Sequence, residues 1–243
     1  MSSLKVVTCN IEGNRHLPEV ISFLQSERPD VVCLQEVLGS NVERLKNELS
    51  MNGEFIPCLK IDQENFVGFP VGETWGVMVL TNLLEFSIST NPYVTNGESI
   101  PEFGYKNPNA ANRVLEIIEV KKEDVLFRVI TTHFTWTPDG KSSELQRDNL
   151  QKMLAILKQY DEFVLCGDFN APRGGEIWEM IASAYKDNIP LDALSTIDPN
   201  LHRVKDIQLV VDGVFSTSSY TVSDVRLHEG VSDHKAVVAT INK

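Results

Sequence analysis

The sequence predicts an α/β domain, on three observations. Apolar, β-branched runs of strand length alternate with amphipathic stretches at helical spacing along the chain. Residues 4–36 hold a strand, a helix and a second strand, the unit that pairs two strands in parallel through a right-handed crossover. No repeat, low-complexity tract or linker interrupts residues 1–243, so one domain is expected.

Residues 4–10 read as a β-branched strand closed by Asn10. After the Glu12-Gly13-Asn14 turn, Leu17, Val20, Ile21 and Leu24 share one helical face, so a helix is expected over 17–26, stopped by Pro29. Residues 30–36 form a nearly continuous apolar strand of the fully buried kind, ending in Gln35 and Glu36. Parallel pairing would set Asn10 and Glu36 at one sheet edge, where open sheets of this class bind ligands. A short helix over 41–49 and a strand over 54–61 follow. Residues 76–81 and 85–90 are expected to be the arms of a hairpin. The stretches 62–75 (with Phe66, Phe69 and Trp75) and 91–112 (with Tyr93, Phe103 and Tyr105) are aromatic and loop-like, and connections this long tend to be functional. A second hairpin joins 113–121 to 125–133 across Lys122-Glu123-Asp124. Leu145, Met153, Leu154 and Leu157 predict a helix over 141–159, and Ile177, Met180, Ile181 and Ala184 another over 176–185. Between them lies a strand from Phe163. The strand-like run 206–215 carries Asp212, and strands over 220–227 and 235–241 end the chain.

Apolar residues at 42% and charged residues at 23% are the balance of an ordinary globular protein. A net charge of −12 repels phosphate polymers at long range, so indiscriminate binding to long duplexes is not expected. Such a charge still permits a nucleic-acid enzyme, because a divalent cation turns a carboxylate-rich site into a phosphate site. No apolar run approaches the ~20 residues of a membrane span, and residues 1–5 run into a strand without the pattern of a secretory signal. A cytoplasmic monomer is therefore expected. Cys9, Cys33, Cys58 and Cys166 lie in apolar runs without CxxC spacing, which reads as buried reduced thiols.

The stretch Val164-Leu165-Cys166-Gly167-Asp168-Phe169-Asn170-Ala171-Pro172 ends an apolar run in two polar residues spaced two apart. In an extended chain Asp168 and Asn170 point to one side, and Phe169 to the other. A carboxylate beside an amide suits positioning a water and stabilising an oxyanion; taken alone, the same residues also suit an ordinary turn. Glu36 at the end of a buried strand is equally open, to a salt bridge or cap or to a divalent cation that removes the cost of burying its charge.

Six motifs in order settle the comparison: Thr8-Cys9-Asn10-Ile11, Leu34-Gln35-Glu36, Thr132-His133-Phe134, Gly167-Asp168-Phe169-Asn170, Val211-Asp212-Gly213-Val214-Phe215 and Ser232-Asp233-His234. Together they resemble the endonuclease/exonuclease/phosphatase superfamily of deoxyribonuclease I-like metal-dependent phosphoesterases. Thr8-Cys9-Asn10-Ile11-Glu12-Gly13 is similar to the 5′-tyrosyl-DNA phosphodiesterase form of the first motif. The resemblance implies a four-layer α-β-β-α sandwich of two mainly antiparallel sheets, which restricts parallel pairing largely to the first crossover. It implies magnesium, with manganese as a substitute, on Glu36 assisted by Asn10, with Asp233 beside them. Asp168 would activate the attacking water, Asn170 would donate to the phosphate, and Asp212 would hold a protonated His234 against a phosphate oxygen. His133 would contact the phosphate or serve the leaving group, and Arg113 would be a basic phosphate contact. The implied reaction is in-line hydrolysis of a phosphodiester on a DNA or RNA end or a nucleotide-like ester. Inositol phosphates, lipid headgroups and a non-catalytic binding role are the alternatives. Trp75, Tyr105 and Trp136 could stack on a base or an aromatic leaving group, whereas Phe134 reads better as core.

Overall fold

In chain order the first elements are β1 (Ser3–Asn10), α1 (Leu17–Glu27), β2 (Val31–Leu38), α2 (Val42–Leu49), β3 (Asn52–Lys60), β4 (Thr74–Thr81), β5 (Phe86–Val94) and β6 (Arg113–Lys122). There follow β7 (Val125–His133), α3 (Glu144–Leu157), β8 (Val164–Asp168), α4 (Glu176–Ala184), β9 (Lys186–Asp187), β10 (Asp212–Ser216), β11 (Thr221–His228) and β12 (Ala236–Asn242). This is a computed structural model that describes residues 2–64, 68–97, 99–103 and 109–243.

The strands form two six-stranded sheets, ordered β11-β12-β1-β2-β4-β3 and β5-β6-β7-β8-β10-β9. In each, one central pair is parallel, β1 with β2 and β7 with β8, and the other pairings between these strands are antiparallel among the described residues. The crossover expected over residues 4–36 is therefore present, and the second sheet repeats it through α3.

Burial explains the layering. Val7, Cys9, Val32, Leu34 and Leu80 on one face of the first sheet pack with Leu17, Val20, Ile21 and Leu24 of α1 and Leu45 of α2. The opposite face, with Leu4, Val6, Val31, Cys33 and Val79, joins the second sheet in one core that continues into α3 and α4 through Leu150, Met153, Ile177 and Trp178. The result is helices, sheet, sheet, helices. Central strands covered on both faces need apolar residues at nearly every position, which is why β2 and β8 lack strand-like alternation. All four cysteines are buried and free.

Several boundaries differ from the sequence expectation. Residues 76–81 and 85–90 do not pair, because β2 and β3 flank β4 on both sides and the chain after Thr81 crosses to the other sheet, where β5 pairs with β6. The stretch expected to be a loop from residue 91 begins as the end of β5. Helix α3 starts after Ser143, whose hydroxyl accepts from Gln146 N at 3.1 Å as an N-cap, so Lys141 stays outside it. The extended run at 206–215 is strand only from Asp212, because the carbonyls of Leu209, Val210 and Val211 accept from Thr196, Arg173 and Phe169 in irregular chain rather than from a neighbouring strand. Phe66 and Tyr105 lie outside the described residues. Among the described residues, no helix is long and apolar enough to cross a membrane.

Candidate active site

The carboxyl ends of the two parallel pairs meet at one edge of the sandwich. Asn10 and Gln35 are the last register partners of the β1–β2 ladder, and His133 and Asp168 those of β7 and β8. Asp212 opens β10 as the partner of Asp168 on its other side, so three polar residues stand abreast. One step inward the partners are Gly167 and Gly213. Gly167 has φ +137°, and a Cβ there would fall 2.1 Å from the Thr132 carbonyl oxygen. Phe169 points into the core, T-shaped against Phe215 (5.1 Å, 90°) and Trp178 (6.1 Å, 78°). Burying such a ring is worth roughly 3–5 kcal/mol against truncation, and it fixes the backbone on either side.

Asp168 is the hub. Its Oδ1 accepts from Asn170 N at 2.8 Å, and its Oδ2 accepts from Asn10 Nδ2 at 3.1 Å. The same Oδ2 lies 3.4 Å from His133 Nε2 and 4.0 Å from His234 Nε2. Burial pushes the Asp168 pKa up to about 6; His234 opposes that rise and Asp212 adds to it.

Glu36 sits at φ +58°, where the β2–β4 register slips between Leu34 and Val37. The bulge turns its carboxylate out of the strand toward Asn10, whose Nδ2 donates to Oε1 at 3.1 Å. One amide nitrogen thus bridges the Glu36 and Asp168 carboxylates. Burial, then repulsion from Asp233, lifts the Glu36 pKa to about 7. A hard divalent cation suits this chemistry: the charge of Asp233 acts against that of buried Glu36, and the described hydrogen-bond partner of Glu36 is the neutral Asn10 amide.

His234 Nδ1 donates to Asp212 Oδ2 at 2.8 Å. Burial alone would lower its pKa, but Asp212 and Asp168 outweigh burial and hold the imidazolium well above the usual range. His133 is the opposite case. Burial, then Arg113 and His234, hold it well below the usual range, as a neutral ring whose Nδ1 has no hydrogen-bond partner among the described residues. Asp168 therefore lies between one neutral and one charged imidazole. Ligand atoms of Asp168, Asp212 and His234 lie within 4.8 Å of one another.

The other expected site residues are placed differently. Arg113 is buried rather than solvated; its Nη1 donates to the His133 carbonyl at 2.9 Å and its guanidinium faces Trp75 at 6.0 Å. Trp75 in turn packs on His133, centroids 5.0 Å apart. Asn170, at φ +49°, donates from Nδ2 to the Phe134 carbonyl at 3.1 Å, tying it to the end of β7. Phe134 is core, stacked on Tyr93. Trp136 is 43% exposed just beyond β7, and no described contact joins it to the acidic cluster.

Sequence reasoning missed three supports. Thr196 Oγ1 accepts from the amides of Val211 and Asp212, both at 3.0 Å. Asp198 accepts from Gly230 N at 2.7 Å, and its own amide donates to the Asp233 carbonyl at 2.8 Å. Glu12, 4% exposed, meets Arg15, His16 and Arg203. The first two lie in irregular chain with no periodicity to mark them; Glu12 lies in the turn after the first motif, where its charge was the available signal.

Known proteins share this fold. The family model described as Endonuclease/Exonuclease/phosphatase family matches residues 7–234. No curated protein matches the sequence. Among solved structures, an endonuclease/exonuclease/phosphatase from Bacteroides vulgatus superposes with TM-score 0.75 at 18% identity, over 100% of this chain and 99% of that one. A mannosyl-6-phosphatase from Bacteroides thetaiotaomicron gives 0.68 at 16% identity, over 99% and 100%. ANGEL2, a 2′,3′-cyclic phosphatase in complex with adenosine-2′,3′-vanadate, gives 0.68 at 14%, over 98% and 95%.

Proposed function

Because the chain belongs to the Endonuclease/Exonuclease/phosphatase family and is a phosphoester hydrolase, we propose that it is a magnesium-dependent phosphodiesterase acting on a nucleic-acid end or a nucleotide-like ester. The observation that carries this reading is the hub itself: a carboxylate with a pKa near 6 between a neutral and a charged imidazole. A base poised close to neutral pH is mostly ionised yet still able to take a proton. Asp168 accepts the proton of the attacking water as the new P–O bond forms and the bond to the leaving oxygen breaks. His234, fixed by Asp212, donates to a phosphoryl oxygen on which negative charge accumulates. His133 faces the same space as a neutral donor or acceptor, and Asn170 has a second amide hydrogen for the phosphate. Glu36, Asp233 and Asn10 hold the metal, which when bound supplies charge neutralisation at the phosphate. Trp136, beside the exit of β7, offers a face for a base or an aromatic leaving group. ANGEL2 in complex with an adenosine vanadate supports a nucleotide-like ester on this fold.

The test is release of p-nitrophenol from the p-nitrophenyl ester of thymidine 5′-phosphate with and without magnesium. Asp168→Ala and Glu36→Gln are expected to lower kcat by roughly 10²–10⁴, the range of general-base catalysis. Phosphate release from inositol phosphates or sugar phosphates, with no action on nucleotide esters, would replace the reading with a phosphomonoesterase.

A further inference from the structure

The buried face of α3 begins with two amides. It consists of Gln146, Asn149, Leu150, Met153 and Leu157, at helical spacing. Leu150, Met153 and Leu157 belong to the core shared with both sheets. Gln146 and Asn149 instead meet the chain just past β7, and Gln146 also meets the chain just past β8. Beyond a strand end the carbonyls have lost their ladder, and buried ones need another donor. Gln146, 0% exposed, supplies it. Its Nε2 donates to the Thr135 carbonyl at 2.8 Å and to the Asn170 carbonyl at 3.3 Å. Both partners are carbonyls, which only accept, so the amide nitrogen and not its oxygen has to face them. Gln146 Oε1 has no hydrogen-bond partner among the described residues, so the side chain works here as a donor. Asn149 keeps to one side: its Nδ2 donates to Thr135 Oγ1 at 2.8 Å.

Asn170 is the residue that this arrangement constrains. At φ +49° it sits in the left-handed region, which Asn tolerates better than most residues but which no strand pairing holds in place. Its amide donates to Asp168 Oδ1 (2.8 Å), its Nδ2 donates to the Phe134 carbonyl (3.1 Å), and its carbonyl accepts from Gln146. Of these contacts, the last comes from another element. It also links α3 to the Asp168 carboxylate through the Asn170 peptide alone. The direction of the second Asn170 amide hydrogen follows from how that peptide is held.

We propose that Gln146 is a positioning residue for the reaction: by holding the Asn170 carbonyl from α3 it fixes the left-handed turn that aims the Asn170 amide at the phosphate, without touching the substrate. The inference rests on the proposed reaction for what Asn170 does, and on the geometry alone for what holds Asn170.

The experiment measures kcat and KM on the p-nitrophenyl ester of thymidine 5′-phosphate for the wild-type protein, Gln146→Met, Asn170→Ala and the double variant. Met has nearly the length and volume of Gln and lacks the donor. Gln146→Met is expected to lower kcat about tenfold with little change in KM, the low end of what a lost supporting contact costs. Asn170→Ala is expected to lower kcat by roughly 10²–10³, as the loss of an oxyanion donor does. The double variant is expected to match Asn170→Ala, because the brace then has no amide left to aim. Asn149→Leu controls for a loosened helix start: it breaks the Thr135 contact and leaves the contacts of Asn170 in place. Its loss is expected to carry over in full into the Asn170→Ala background. Gln146→Asn, polar but too short to span both carbonyls, replaces Gln146→Met where that variant fails to fold. Losses that multiply in the double variant overturn the brace and leave the reaction standing, as does wild-type kcat in folded Gln146→Met. An Asn149→Leu loss that also vanishes in the Asn170→Ala background overturns a specific role for Gln146. Turnover of p-nitrophenyl phosphate but not of the nucleotide ester retires the phosphodiesterase reading, and the same cycle on that monoester decides the brace. Where neither ester turns over, calorimetry of inorganic phosphate with magnesium reads the cycle as affinity. A loss in Gln146→Met that disappears in the Asn170→Ala background then supports the brace, and independent losses or the absence of binding overturn it.

Discussion

Asp212 and His234 act as a unit, and their energetics should show it. The Nδ1–Oδ2 bond of 2.8 Å fixes the ring while Asp212 and Asp168 keep it charged. Asp212→Asn removes the charge that favours the imidazolium, and His234→Gln removes the donor. Each alone is expected to lower kcat by roughly 10²–10⁴. Because both destroy one device, the double variant should lose little more than the worse single variant, a non-additivity that a double-mutant cycle measures directly. Losses that multiply would mean that Asp212 serves something other than the ring. At this scale the sequence was highly informative. Asp168, Asp212 and His234, all named from the sequence, come together in one cluster, whereas the extended-chain argument fails at Asn170, where φ +49° turns the backbone. Glu12 was not legible as a site neighbour, because its environment depends on Arg203, distant in the chain and brought near only by the fold.

Among the elements, the irregular segment before β10 carries weight that its lack of secondary structure hides. Thr196 bonds two successive amides at the start of β10, its carbonyl accepts from Lys235 N at 2.7 Å, and Ile197 bridges His234. The segment thus clamps Asp212 from one side and His234 from the other. Thr196→Val keeps the shape but leaves two buried amides unsatisfied, at about 1–3 kcal/mol each before relaxation. The expected outcome is a fall in kcat of about tenfold or more with a smaller change in KM, restored by Thr196→Ser. Equal loss in Thr196→Ser, or a change in KM alone, would rule out the brace. No pattern in the sequence marks such a segment, since it uses neither the period of a helix nor that of a strand. The same limit explains the hairpin expected from residues 76–90. Two adjacent strand-like runs look alike whether they pair or part, and here the deciding fact is that β4 already has a neighbour on each side. Gly167, in a stretch that also suited a turn, and Gly213, within a strand-like run, are where two strands and the Phe169 ring approach too closely for a Cβ.

Across the whole molecule, the two sheets enclose one carboxyl group that the site does not need. Glu116, on β6, is wholly buried; among the described residues neither oxygen has a partner in full hydrogen-bond geometry, and the Val79 amide beside it offsets only part of the cost of burial. Burial pushes its pKa well above the ordinary 4.5, and Glu54 adds to the rise. The folded chain therefore keeps a proton that the unfolded chain gives up above pH 4.5. Wherever the unfolded state binds fewer protons, stability falls as pH rises. The Glu116 contribution is thus least unfavourable below pH 4.5 and worsens steadily through the neutral range toward its folded pKa. Glu36 and Asp168, also raised, push in the same direction until a cation or substrate compensates them, so total stability against pH does not isolate Glu116. Glu116→Gln does, because the amide has the shape of the protonated acid and cannot ionise. Urea midpoints of the two proteins should nearly coincide at pH 4.5 and separate progressively toward pH 8, with the variant the more stable. Parallel curves across that range would mean that Glu116 has a buried partner after all and is ionised inside the sandwich.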